Sequence, residues 1–351
     1  MRLQSIMRGL TVLGLAALMT SGTVAANAAE PEFIMKYATG NPTDPMTPGW
    51  TTHLVLAKEI ERRSHGRIKV EMHPNGQLGG IEATVNMVQQ NIIQASDPST
   101  GAFATTYPPV QVFSIPYLFP DREVAWKVLD GPFGRELMDD MAAKTGIRPL
   151  MWSENGGFRN YSNSKRTIHS PADMVGLKIR TMNNPVDMEI VKALGASPTP
   201  IPWAELYTSL QTGVVDGQEN SITTFMVPKL EEVQKFMTLD GHVYSVNCAI
   251  ISEKFYQSLP DDLKAAVLQS AEVALAVNRG LVVANEVSAL DYLQQQGVEI
   301  YTPTLEEKQE FRDAVSKPAL DWLRQNIDAK WVDGILAAAK QAEQDLGYPQ
   351  Q

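Results

Sequence analysis

The sequence predicts an α/β protein built from two lobes. Three observations carry this. Short alternating strands interleave with amphipathic helices over Glu32–Asp97, and the same interleaving starts again at Gly146. A single proline-free helical pattern then follows at Leu259–Gly297, after Pro260, long enough to run from one half of the molecule to the other. Strands alternating with helices imply parallel pairing through βαβ units. A chain of 351 residues exceeds one ordinary domain.

The chain opens with Arg2 and Arg8, an apolar run over Gly9–Thr20, and a small-residue site at Ala26-Asn27-Ala28. This order of basic, apolar and small residues is that of a secretory signal, here 1–28, cut after Ala28. The apolar run is too short to span a bilayer. Glu32–Gly40 alternates apolar and polar residues, as a strand does. A proline-rich loop follows, then helical spacing at Leu54, Leu56, Ala57 and Ile60 with Gly66 as its stop. Arg67–Pro74 reads as a strand, Gly79–Asn91 as a helix and Ile92–Asp97 as a short buried strand. In the second half, Gly146–Glu154 and Gly176–Met182 read as strands. Asn184–Ala196 and Pro200–Gly213 read as helices, each with proline near its start and glycine near its end. Val214–Ile222 and Met237–Ser252 complete the strands. "IEATVNMVQQNIIQASD" and "WAELYTSLQTGVVDGQE" are each an amphipathic helix running into an apolar strand start, at similar places in the two halves.

The net charge of −10 excludes a phosphate-backbone binder, which needs a basic stripe. The single cysteine, Cys248, rules out an internal disulfide framework and reads as a small core hydrophobe. A secretory signal without disulfides points to a bacterial periplasm. Beyond the signal no unbroken apolar run is long enough for a membrane span, so the mature chain is expected not to be membrane-embedded. The five histidines show no metal-ligand spacing, and His65 and His169 sit in polar turn contexts. The G-x-S-x-G, H-E-x-x-H and phosphate-loop motifs are missing, and the glycines of Asn75–Gly80 do not follow the dinucleotide order. No cofactor and no metal are expected, and weight shifts from catalysis to binding.

The arginines offer the clearest chemistry. Arg180 closes the strand "GLKIR" and turn formers follow at once. Arg159 lies 21 residues earlier in "ENGGFRNYSNSK". Two neighbouring strands would bring both ends to one cleft, and strand ends in open α/β sheets are where ligands bind. A guanidinium there matches a carboxylate in bidentate geometry. Spacing alone fits a solvated surface arginine as well.

The mature chain resembles, over nearly its whole length, the solute-binding proteins of tripartite ATP-independent periplasmic (TRAP) transporters, of the dicarboxylate-binding (DctP) type. The resemblance rests on "NGQLGG" at Asn75–Gly80, "IPYLF" at Ile115–Phe119, Gly156–Arg180, and "PIPWAELYTSLQTGVVDGQEN" at Pro200–Asn220. It implies a two-lobed, type II-like periplasmic binding protein, with mixed sheets flanked by helices, a long lobe-spanning helix and a ligand cleft between the lobes. Lobe I would comprise 29–155 and about 244–285. Lobe II would comprise 156–243 and about 286–351, with the carboxy-terminal helices. Arg180 resembles the family's partner of the ligand carboxylate, Arg159 a second and more variable anion contact, Asn220 and Asn183 ligand-bonding amides. Trp203 matches a position that often packs on the ligand, and equally fits a core tryptophan. Asn41, Glu82, Ser99, Thr100 and Glu154 match cleft-facing positions that vary in type and so set specificity.

Two acids in the pocket would repel a second ligand carboxylate. Glu82 and Glu154 therefore favour a sugar acid or hydroxy monocarboxylate, with an aromatic or dicarboxylic acid as the alternatives. The resemblance implies a monomeric, non-enzymatic receptor that hands an organic acid to TRAP membrane subunits. A secreted hydrolase or lyase acting on an acidic substrate is the rival reading, and would need a base within reach of the ligand. A ligand sensor for a membrane kinase would share the fold.

Overall fold

The computed structural model describes residues 30–45 and 47–349, and the expected signal at 1–28 lies outside the described residues. From Phe33 the chain follows the predicted alternation: β1 (Phe33–Ala38), α1 (Pro48–Arg63), β2 (Ile68–His73), α2 (Ile81–Gln89) and β3 (Ala95–Ser96). β1 pairs in parallel with both β2 and β3. Pro48 occupies the first turn of α1, where its missing N–H is not needed. The strand expected over Ile92–Asp97 shrinks to two residues, because Asn91 turns with a φ of 57° and Ile92–Gln94 are spent on the bend. The stretch 98–145 carries weak periodicity, yet holds two helices, α3 (Arg122–Asp130) and α4 (Pro132–Thr145).

The second half contains β4 (Ile147–Asn163), β5 (Lys178–Thr181), α5 (Pro185–Ala193), β6 (Ser197–Pro200), α6 (Leu206–Gln211), β7 (Gly217–Ser221) and α7 (Ile222–Met226). β5 pairs in parallel with β6 and β7, a second block like the first. The helix expected over Pro200–Gly213 is a tight turn at Trp203–Glu205 and then the short α6. Pro200 and Pro202 cannot donate backbone bonds, which delays it. The chain ends with β8 (Phe236–Ser252), α8 (Glu253–Ser258), α9 (Asp261–Gln295), β9 (Glu299–Tyr301), α10 (Leu305–Asn326) and α11 (Ala329–Leu346).

All nine strands form one sheet, in the order β2-β1-β3-β8-β4-β7-β5-β6 with β9 on β8. β4 and β8, 17 residues each, lie antiparallel at its centre and join the two parallel blocks. β4 does not stop at Glu154 as expected. It bulges between Glu154 and Phe158, where Gly156 and Gly157 take φ of 81° and 90°. A side chain at Gly156 would come within 2.3 Å of Ser221 Oγ and Thr223 Oγ1. Gly156→Ala is therefore expected to cost about 1–3 kcal/mol, read as a lower melting temperature of the ligand-free protein. An unchanged melt would mean that the bulge relaxes at no cost.

By length and composition α9 could cross a bilayer. Its 35 residues, about 50 Å of helix, instead pack on α1 and β4 and bury Leu263, Val267, Ala271 and Val282. The first block has its own core of Met35, Leu56, Ile60, Ile251 and Val267, and the second one of Leu206, Leu210, Phe225 and Leu293. The largest core runs past both. α10 packs on α5, but α11 packs on α3 and α4, with Phe133 edge-on to Trp331 at 6.0 Å. The expected boundary near 286 puts α11 in lobe II, whereas these neighbours belong to the expected lobe I. Cys248 is buried in β8.

Candidate functional site

A cavity of ≈ 690 Å³ lies between the two parallel blocks, at the carboxyl ends of β1, β3 and β5. The first block contributes Asn41, Glu82, Asp97 and Ser99 to its wall. The second contributes Arg180, Asn183, Trp203 and Asn220, and the β4 bulge adds Glu154, Gly156 and Arg159. Sites at such strand ends follow from βαβ geometry, which leaves loops and helix starts converging there.

Arg180 is 3% exposed. Its Nε donates to the carbonyl of Ile201 at 2.8 Å, which aims the guanidinium along the cavity wall. No carboxylate among the described residues forms an ion pair with it. Burial pulls its pKa down to about 10, against the opposing charge of Glu219, so it stays a cation at neutral pH. A buried guanidinium without a paired carboxylate is costly, and a ligand carboxylate offsets that cost.

Arg159 is differently placed. Its Nε and Nη2 donate to the Glu219 carboxylate, Nη2 also to the Glu219 carbonyl at 2.8 Å, and Nη1 to Ser245 Oγ at 2.8 Å. Glu219 also faces His242 Nε2 at 3.5 Å, while His242 Nδ1 meets Asp240 at 2.8 Å and the ring stacks on Tyr161. Burial would raise the Glu219 pKa, but the Arg159 charge and the bonds from His242 and Arg159 hold it at about 2. Burial would lower that of His242, but Asp240 and Glu219 raise it to about 9. Arg159 thus reaches the cavity as part of a charge-balanced cluster.

The remaining predicted residues separate. Asn220 is buried on β7, and its Nδ2 donates to Gln218 at 2.7 Å. Asn183 is exposed, three residues past Arg180. Trp203 is half-buried, lines the cavity and packs on the second-block core. Glu82 is exposed at the first turn of α2. Ser99 Oγ lies 3.4 Å from Met182 Sδ, which brings the first-block loop up to the segment after Arg180. Thr100 is not among the lining residues of this cavity, and its hydroxyl donates to the Val246 carbonyl at 3.2 Å. Glu154 lines the cavity, but its carboxylate is sealed from solvent, 3.8 Å from Arg122. Burial raises its pKa to about 7 against the pull of Arg122. No group of three or more His, Cys, Asp or Glu among the described residues is placed to hold a metal ion.

The chain matches the family model of bacterial extracellular solute-binding protein, family 7, over residues 40–325. It belongs to that family, as a TRAP solute-binding protein of the DctP type. This family 7 protein is 32% identical over 330 residues to the 2,3-diketo-L-gulonate-binding periplasmic protein YiaO of Escherichia coli, a match covering 93% of this chain and 96% of that one. The sugar acid binding protein DctPAm of Advenella mimigardefordensis, solved with galactonate, superposes at a TM-score of 0.84 with 35% identity, covering 89% of this chain and 99% of the other. A TRAP periplasmic solute-binding protein of Polaromonas sp. JS666, bound to D-erythronate, gives 0.82 at 34% identity, with 87% and 98% covered.

Among the cleft residues of this family 7 protein that sequence reasoning missed is Asp97, with its support. Asp97 directly follows β3 and lines the cavity. Its Oδ2 accepts from Thr39 Oγ1 at 2.9 Å and Asn41 Nδ2 at 2.8 Å, and lies 3.1 Å from His53 Nε2. The Tyr37 hydroxyl holds His53 Nδ1 at 2.7 Å. Burial lowers the His53 pKa to about 3, so the ring is neutral. Burial raises that of Asp97 to about 8, against the bonds from Thr39 and Asn41. The signal was available: Asp97 ends its strand in the first block as Arg180 does in the second.

Proposed function

We propose that this chain is the periplasmic solute-binding subunit of a TRAP transporter, and that it captures a hydroxylated monocarboxylate of the sugar-acid type for delivery to the membrane subunits. The observation that carries this is Arg180, a buried cation on the wall of an interlobe cavity with no paired carboxylate among the described residues. The other lining arginine, Arg159, is already bonded to Glu219, so a second ligand carboxylate meets no free guanidinium. Asn41, Glu82 and Asp97 offer hydrogen-bonding groups to hydroxyls instead. Galactonate, D-erythronate and 2,3-diketo-L-gulonate, the acids named for the three relatives described above, share one carboxylate on an oxygen-rich chain. We take lobe I as 29–155 with about 244–285, and lobe II as 156–243 with about 286–351, its α11 reaching across to α3 and α4 of lobe I, so the boundary on β4 falls at its glycine bulge. Contacts from both lobes to one acid shift the open–closed balance by their differential affinity, and the closed form is the one handed on. The protein acts as a monomer and does no chemistry on its ligand.

A melting panel of aldonates, uronates, dicarboxylates, keto acids and aromatic acids tests this. At a hundredfold excess over Kd, a true ligand adds about 2.7 kcal/mol, roughly 4 °C for a chain of this size. The expected largest shift comes from an aldonate or uronate, recovered unchanged afterwards by mass spectrometry. The largest shift from a dicarboxylate or an aromatic acid overturns the ligand class, and recovery of a product overturns the transport reading.

A further inference from the structure

We propose that Asp97 is the residue that selects a hydroxyl rather than a second carboxylate at the end of the ligand away from Arg180, an inference that rests on the sugar-acid reading above. The placement comes first. Asp97 stands in the first-block wall of the cavity and Arg180 in the second-block wall. One ligand spanning the cleft meets a guanidinium at one end and this carboxyl group at the other.

The bonding around Asp97 then fixes what it offers. Thr39, Asn41 and His53 all converge on Oδ2. Oδ1 makes no hydrogen bond to another described residue, the carboxyl having its own backbone N–H besides, and is not among the sealed, unpartnered atoms, so we assign it to the cavity side. His53 is locked from behind by Tyr37, so it supplies a bond and no charge. No lysine or arginine among the described residues pairs with Asp97.

A ligand hydroxyl is donor and acceptor in one, and satisfies Oδ1 whether or not the carboxyl carries a proton. A ligand carboxylate only accepts. It can be served by the protonated group alone, and meets like-charge repulsion from the ionised one. The geometry therefore admits a hydroxyl and penalises an acid.

Asp97→Asn lifts this penalty, since a hydroxyl and a carboxylate can both accept from an amide NH2. The three donors on the Oδ2 position hold the amide oxygen there, so the NH2 group is turned to the cavity. That group only donates, which suits a carboxylate.

Calorimetry on the full mature chain with galactonate and galactarate, which differ only in the oxidation of C6, tests the inference. Wild type is expected to hold galactonate at least ~100-fold more tightly, and Asp97→Asn to shift the ratio towards galactarate by at least ~100-fold, since a site built around particular donors and acceptors discriminates on that scale. Equal wild-type affinities for the two acids overturn the inference without any variant. So does a variant that weakens both acids by one factor, which is what a purely structural role for Asp97 gives. A wild type that holds neither acid overturns this inference, and one that also holds no aldonate or uronate of the melting panel overturns the sugar-acid reading. Wild type holding galactonate, with an unchanged ratio in the variant, sinks this inference alone.

Discussion

Arg180→Ala is expected to lose organic-acid binding by roughly 30- to several-thousand-fold, the range of 2–5 kcal/mol for truncating one partner of a desolvated charge pair. The ligand-free protein should fold normally. The native guanidinium is buried, bonded through Nε to Ile201, and without a paired carboxylate among the described residues. Such a cation burdens the empty fold. Arg180→Met, which keeps most of the volume, is accordingly expected to melt at or above the wild-type temperature while binding no acid. Calorimetry and paired melts read both effects. Retained affinity in either variant would remove Arg180 from the site. A collapse of the ligand-free melt in the Met variant would make it a structural residue.

Glu219→Gln should have the largest effect on stability. The native carboxylate balances Arg159 and faces His242, all three nearly fully buried. Removing the charge strands a buried guanidinium, at a cost of about 3–5 kcal/mol, roughly 5–8 °C here. The pH profile carries the sign. Glu219 has its pKa depressed from 4.5 to about 2, so its contribution is full above 4.5 and disappears as pH falls through about 2. His242 has its pKa raised from 6.5 to about 9, so its contribution is full below 6.5 and disappears as pH rises through about 9. Asp97 and Glu154, whose raised pKa values lower stability as pH rises through the same range, act alike in wild type and variant, so the gap between the two melts should be widest from 4.5 to 6.5 and narrow on both sides. The variant should show a weaker alkaline decline, because His242 then keeps Asp240 as its one acidic partner. A wild-type curve flat from pH 6.5 to 10 would contradict the charge assignment.

Arg180 was legible because a guanidinium at the end of an alternating strand is a local pattern, and strand ends are where such sheets bind. The two parallel blocks were legible for the same reason, since periodicity is local. Glu82 and Glu154 show the limit. In sequence both are acids beside glycines, but one stands exposed at a helix start and the other is sealed against Arg122. The Glu219–His242–Asp240 cluster lies on β7 and β8, which flank β4 and are brought level by their registers to it, which no spacing reveals. The run of β4 past Glu154 was hidden because paired glycines usually end a strand, and here they bend one.

The central ribbon also governs how the chain comes together. The short β3 pairs with β1 close by, but reaches the central pair only by lying against Ile250 and Ile251 of β8, some 150 residues later. The first half of β4, which β7 does not reach, likewise waits for β8 nearly a hundred residues downstream. Emerging amino end first, the polypeptide must leave the β3 edge of its first block open until about Ser252 has been delivered. Pairings over such separations are slow to form, and until then unpaired strand edges stay open to wrong partners.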